Sequence, residues 1–212
     1  MKRPTILLAD DHTMLPDAFR KILEPEFEVV GVVADGHAVI AKATELKPDV
    51  IVLDIAMPLL NGLDAGRRVK EIMPATKLVY LTMSNSPKLA AEAFRLGASA
   101  FLLKTSAASE LNEAIRSVLR GKRYVTAELE EPLEAAMLDL VLRNGAALKL
   151  TDRQREVLQL LAEGRSMKEA AFILNLAERT VMYHKYRIMS EFQIKTNAEL
   201  IQFALKQNLS AF

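Results

Sequence analysis

Five short apolar runs alternate with longer amphipathic stretches over the first ~120 residues, and this alternation restricts the fold more than any other feature of the chain. The runs are Thr5-Ile6-Leu7-Leu8-Ala9, Glu28-Val29-Val30-Gly31-Val32-Val33, Val50-Ile51-Val52-Leu53, Leu78-Val79-Tyr80-Leu81 and Ala100-Phe101-Leu102-Leu103. Each is too short for a helix of its own. The stretches 13–24, 37–47, 63–72, 87–96 and 107–120 have helical spacing, and Gly36, Gly62, Gly97 and Gly121 punctuate their ends. Buried runs joined by helical crossovers predict an α/β doubly wound, five-stranded parallel sheet. In open sheets of this kind ligands bind beyond the carboxyl ends of the strands. Four of the five runs end there on a polar residue: Asp10-Asp11, Asp54, Thr82 and Lys104.

From Leu150 the strand pattern disappears. Helices are expected near 151–163, 167–174, 178–190 and 196–206, forming a small all-α bundle. Thr151-Asp152-Arg153-Gln154 and Ser166-Met167-Lys168-Glu169 both read as capping boxes. The tight connection Asn175-Leu176-Ala177 between the second and third helices gives helix-turn-helix spacing. Residues 122–149 read as a linker, acidic in its first half. After Pro132 it carries a short amphipathic helix through Ala135, Leu138, Val141 and Leu142, stopped by Asn144-Gly145.

With 212 residues the chain suits two ordinary domains. It has no cysteine, which excludes a disulfide framework and thiolate metal sites. Neither a secretory signal nor a run of ~20 apolar residues is visible, so a cytoplasmic protein is expected, without membrane association. Charge is nearly balanced, at 28 basic and 27 acidic residues, so global charge does not announce a nucleic-acid partner. Residues 150–212 carry 9 basic and 7 acidic groups, a mild footprint that leaves any basic surface to local placement.

Asp10, Asp11 and Asp54 brought together at adjacent strand ends would surround a small cavity with hard oxygen donors, which suits Mg²⁺. Thr82 could donate to a phosphoryl oxygen and Lys104 could neutralise another. An Asp carboxylate is a competent covalent acceptor for phosphoryl. Taken singly, an Asp at a strand end is more often a turn former or helix cap. The conjunction at four strand ends is what carries the reading.

At these residues the chain resembles the receiver domain of two-component response regulators. The matching residues are Asp10-Asp11, Asp54-Ile55-Ala56-Met57-Pro58 with Asn61-Gly62, Thr82, and Phe101-Leu102-Leu103-Lys104. The resemblance implies a flavodoxin-like strand order 2-1-3-4-5 and Asp54 as phosphoacceptor. It implies Mg²⁺ held by Asp10, Asp11, Asp54 and the backbone carbonyl of Ala56, and the phosphoryl group held by Thr82 and Lys104. It further implies that Phe101 is a switch aromatic; from the residue pattern alone Phe101 reads as core.

Residues 150–205 are similar to the helix-turn-helix domain of the NarL/FixJ family of LuxR-type regulators. The residues concerned are Leu150-Thr151-Asp152-Arg153-Gln154-Arg155-Glu156-Val157-Leu158, Gly164 to Ala171, Leu174, Thr180-Val181, His184 and Ala198-Glu199-Leu200. The third helix is then the recognition helix, with Arg179, Thr180, Met182, Tyr183, His184, Lys185, Tyr186 and Arg187 as DNA-binding candidates. Lys185 and Arg187 are the strongest phosphate ligands. For Met182 and Tyr183 the plainer reading is packing against the scaffold. Four positions depart from the family: Ala177 replaces the usual Ser cap, Met182 and Tyr186 stand where basic groups are common, and Glu191 where a Lys is common.

The expected division is 1–121 receiver, 122–149 linker and 150–212 DNA-binding domain. The expected function is that of a response regulator transcription factor, phosphorylated by a partner histidine kinase, homodimeric on duplex DNA, and not an enzyme beyond its own phosphoryl transfer and dephosphorylation. Candidate dimer surfaces are 87–96 with 100–103 and 107–120, or 13–24, together with 196–206. Two rivals compete with this reading: a small-molecule phosphatase, for which no suitably placed general acid is visible because His12 reads as an exposed helix-start residue, and a regulator whose C-terminal bundle binds a protein.

Overall fold

The structure, a computed structural model, describes residues 3–12, 15–142, 150–207 and 209. The apolar runs form β1 (Thr5–Ala9), β2 (Glu28–Val33), β3 (Val50–Asp54), β4 (Lys77–Thr82) and β5 (Ala100–Leu103), paired in parallel. Between them lie α1 (Leu15–Leu23), α2 (Gly36–Leu46), α3 (Gly62–Ile72), α4 (Pro87–Arg95) and α5 (Ala107–Leu119). Alternate side chains of the central strands feed two cores, one on each face. Leu7, Ile51, Leu53, Tyr80 and Phe101 pack under α2, α3 and α4, whereas Ile6, Leu8, Val52, Val79 and Leu102 pack under α1 and α5. Helix starts are set locally: the side chains of Asp35, Asn61 and Ser86 accept from the backbone N–H groups of Ala38, Asp64 and Leu89.

Among the described residues the sheet has six strands rather than the five expected. The added strand, β6 (Tyr124–Val125), pairs parallel to β5, giving the order β2-β1-β3-β4-β5-β6. Two residues are too few to show an alternating pattern, and it is the next residue, Thr126, that fixes the pairing. The Thr126 N–H donates to the Phe101 carbonyl at 3.1 Å, and the Thr126 hydroxyl accepts the Leu103 N–H at 3.1 Å.

The linker helix also differs from expectation. α6 runs Ala127–Leu142 and contains Pro132 instead of starting after it. Leu129 and Leu133 are buried in the cluster holding Phe101, Leu89 and Phe94, and this burial outweighs the hydrogen bond that Pro132 cannot make. Because α6 lies on α4, part of the α4 surface expected to be available for dimerisation is already covered. The expected stop at Asn144-Gly145 lies outside the described residues.

The C-terminal bundle comprises α7 (Asp152–Ala162), α8 (Met167–Ile173), α9 (Glu178–Glu191) and α10 (Asn197–Lys206). Both capping boxes form: Thr151 with Gln154, and Ser166 with Glu169. α9 starts at Ala177 with no side-chain cap. Val157, Leu160, Ala170, Leu174 and Val181 join the first three helices, while Leu158, Ile188, Leu200 and Ala204 join α7 and α9 to α10.

Candidate functional site

The carboxyl ends of β1, β3, β4 and β5 bring Asp10, Asp54, Thr82 and Lys104 to one edge of the sheet, all of them largely buried. Asp54, the last residue of β3, is 1% exposed, and its Oδ1 accepts the Ala56 N–H at 3.1 Å. The start of α3 approaches this strand so closely that a Cβ on Gly62 would lie 2.0 Å from the Asp54 carbonyl oxygen. Only glycine admits that approach. Lys104 Nζ lies 2.6 Å from Asp54 Oδ2 and 2.8 Å from Asp10 Oδ2. Burial raises the Asp54 carboxyl above the usual carboxylate range, against the opposing pull of Lys104. For Lys104, burial opposes the charge, but Asp10 and Asp54 prevail and hold its pKa above the usual lysine value.

Asp10, Asp11, Asp54 and His12 each offer a donor atom, and these atoms lie within 4.8 Å of one another. Buried Asp10 Oδ2 lies 2.8 Å from Lys104 Nζ and meets no other donor among the described residues, so this carboxylate oxygen keeps a lone pair for a cation. Three carboxylates of this kind fit Mg²⁺. His12 is exposed, as expected, but it also contacts the site: its N–H and Nδ1 lie 2.9 and 2.8 Å from Asp10 Oδ1. The Thr82 hydroxyl accepts the Ser84 N–H at 3.0 Å, which ties the β4–α4 loop to the site. Phe101 is fully buried beneath Leu129 and Leu133.

α9 keeps its outer face in solvent. Arg179, Met182, Tyr183, Tyr186 and Arg187 are exposed, and Thr180, His184 and Lys185 are partly so. Met182 and Tyr183 therefore do not serve as scaffold packing. Tyr183 Oη accepts from Arg187 at 2.8 Å and its ring meets His184 edge-on at 5.5 Å, while Lys185 Nζ lies 5.8 Å over the Tyr186 ring. Tyr183 and Arg187, four residues apart, share one face of the helix, and the other two contacts join sequence neighbours around it.

The sequence did not reveal a polar seam between the two halves. Arg155 Nε lies 2.8 and 2.9 Å from the two oxygens of Asp64, and Arg68 lies 2.6 Å from Glu156. Gln159 Nε2 donates to the Met57 carbonyl at 3.1 Å, and its Oε1 accepts the Asn61 N–H at 2.9 Å. Glu163 accepts the Leu59 N–H at 3.1 Å. These residues have ordinary surface-helix spacing in the sequence. The one available signal was Gln159, alone among Val157, Leu158, Leu160 and Leu161.

Residues 6–116 match the response regulator receiver domain, and residues 148–204 match the bacterial regulatory proteins of the luxR family. The chain is 34% identical to oxygen regulatory protein NreC of Staphylococcus haemolyticus over 215 residues, covering 98% of this chain and 99% of that protein. NreC of Staphylococcus epidermidis is 34% identical over 216 residues with the same coverage. Among solved structures, Salmonella typhimurium RcsB superimposes with a TM-score of 0.66 at 26% identity, covering 97% of this chain and 98% of that one. An RcsB–DNA complex gives 0.59 at 25% identity, covering 95% and 98%. A LuxR-family two-component response regulator from Aurantimonas sp. SI85-9A1 gives 0.61 at 28%, covering 65% and 99%. With a receiver fold carrying an acidic site and a helix-turn-helix domain carrying an open third helix, the chain belongs to the NarL/FixJ family of two-component response regulators, which are DNA-binding regulators of transcription.

Proposed function

We propose that Asp54 accepts phosphoryl from a histidine kinase in the cytoplasm, and that phosphorylation controls homodimeric binding of α9 to duplex DNA. The observation that carries this reading is the pairing of a buried Asp54, joined to Asp10 through the Lys104 ammonium that lies between them, with a recognition helix whose basic and aromatic side chains face solvent.

In the transfer, an Asp54 oxygen bonds to phosphorus as the bond from phosphorus to the kinase imidazole nitrogen breaks. Asp10, Asp11, Asp54 and the Ala56 carbonyl are the residues that would hold Mg²⁺, which supplies charge neutralisation for the carboxylates and the phosphoryl oxygens. Lys104 moves its ammonium from carboxylate to phosphoryl oxygen, and the Thr82 hydroxyl donates to another. Thr82 then draws on Ser84, and the β4–α4 loop shifts against α4 and the layer that buries Phe101. On DNA, Lys185 and Arg187 contact phosphates and Arg179 approaches base edges, with Met182, Tyr183 and Tyr186 beside Arg179 and the partly exposed Thr180 and His184 at the flank of the helix. The DNA complex of RcsB, similar over almost the whole chain, favours this reading over a protein-binding bundle.

The test is selection of duplexes from a random DNA pool with and without Mg²⁺ and beryllofluoride, a phosphoryl mimic. Enrichment of an inverted repeat in the treated arm, lost in Asp54→Asn, is the expected result. Equal enrichment in both arms removes phosphorylation as the switch, and no enrichment in either arm removes the DNA-reading role.

A further inference from the structure

The loop after Asp54 is held by the DNA-binding domain rather than by the receiver alone. Residues 55–61 connect β3 to α3 and carry Ala56, whose N–H already bonds Asp54 Oδ1. Within this loop Leu59 has φ 67°, a left-handed conformation that side-chain-bearing residues adopt at a cost. Two contacts from the α7 region secure it. Glu163 accepts the Leu59 N–H, and the Leu59 side chain packs against the cluster of Val157 and Leu160.

Gln159 spans the loop. Its amide N–H donates to the Met57 carbonyl at one end, while its carbonyl accepts the N–H and the side-chain Nδ2 of Asn61 at the other, at 2.9 and 3.1 Å. It is 1% exposed and also donates to Glu163 at 2.8 Å, so it has little freedom to release either partner. Its grip begins one residue after Ala56. α9 takes no part in the hydrogen bonds and ion pairs of this seam among the described residues.

We infer that Gln159 is a positioning residue for the phosphorylation site: through the Met57 and Asn61 backbone it fixes the loop that presents the Ala56 carbonyl, and so sets the affinity of the acidic site for Mg²⁺. This rests on the assignment of Asp54 as phosphoacceptor. The physical reason is preorganisation, since a ligand already held in place loses less freedom when the cation binds. Coupling is reciprocal: whatever draws α7 off the receiver weakens Mg²⁺ binding, and Mg²⁺ favours the docked arrangement by the same factor.

The test uses the full-length chain and its Gln159→Glu and Gln159→Ala variants. Mg²⁺ affinity is read by isothermal titration calorimetry, and phosphorylation by phosphoramidate is read as intact mass across a Mg²⁺ series. Glu is nearly isosteric with Gln and keeps an acceptor for Asn61, but it has no donor for Met57 or Glu163 and sets a second carboxylate against Glu163, whereas Ala removes the side-chain contacts without adding charge. A net loss of one or two hydrogen bonds should weaken Mg²⁺ roughly three- to tenfold. The maximal phosphorylation rate returns at saturating Mg²⁺, which a general loss of structure would not allow. Unchanged or tighter Mg²⁺ binding overturns the inference. If the Gln159 variants do not fold, Glu163→Ala, which removes the Leu59 contact, decides on the same readout. An Asp54→Asn chain that gains phosphoryl as well as the wild type overturns the Asp54 assignment instead, and the two failures are thereby separated.

Discussion

Replacing Arg155 by Met tests whether the seam between receiver and DNA-binding domain is held by charge. Asp64 is 3% exposed, and Arg155 is its direct ion-pair partner among the described residues, at 2.8 and 2.9 Å, with the Arg67 charge farther off. Without Arg155, the carboxylate keeps the Asn61 side-chain donor at 2.8 Å. Removing one partner of a fully buried pair costs about 3–5 kcal/mol. Arg155 is 21% exposed and the seam can admit water, so we take about 2 kcal/mol, or roughly 30-fold in the ratio of docked to undocked arrangements. Hydrogen exchange followed by mass spectrometry should show residues 57–64 exchanging roughly 30-fold faster in Arg155→Met, with β1 unchanged. Asp64→Asn should cost less, because the guanidinium left behind can reach solvent. The double variant Asp64→Asn/Arg155→Met should recover most of the loss, since neither charge then stands unpaired. Equal costs for the two single variants, or faster exchange in β1 along with the loop, would refute the reasoning.

Ala177→Ser should supply the missing cap of α9 and raise stability by about 0.5–1 kcal/mol, read as a higher urea midpoint for the C-terminal transition. Gly66→Ala should cost about 1–3 kcal/mol, because its Cβ would lie 2.0 Å from Tyr80 Oη. That buried hydroxyl has no hydrogen-bond partner among the described residues, so Tyr80→Phe alone should be close to neutral and should rescue most of the Gly66→Ala loss; failure to rescue on chemical denaturation would assign the clash elsewhere. Burial, followed by Arg153 and Arg187, holds the His184 pKa below its ordinary 6.5. The folded pKa being the lower one, its contribution is intact above pH 6.5 and lost as pH falls through the folded value. Thermal melts from pH 8 to 5 should therefore decline less in His184→Gln than in the wild type.

What the sequence disclosed was whatever is specified locally. β1, β3, β4 and β5 are buried on both faces and so read as unbroken apolar runs, and each capping box lies within four residues. The acidic site was legible for the same reason, since its members sit where apolar runs stop. β6 and the first turns of α6 were not, because they depend on distant partners: Tyr124 and Val125 on β5, Leu129 and Leu133 on α4 and Phe101. The seam was hidden by chemistry of the opposite kind. Asp64, Glu156 and Gln159 are residue types expected in water, and the packing of α7 against α3 and the 55–61 loop buries them.

The rims of the sheet bear on how two copies of this chain can meet. An unpaired strand edge is a template onto which another chain can add by main-chain hydrogen bonds. Here β6 closes the β5 side with only two residues before the backbone turns away at Thr126 into α6. On the other side, the β1–β2 register shifts between Ile6 and Leu7, which interrupts the regularity of β2 as a straight ladder. Neither rim offers a long flat strand. Any association between copies is thus left to side chains on helix faces, contacts that a modest change in shape or charge can make and undo, instead of to a growing backbone ladder that would not let go.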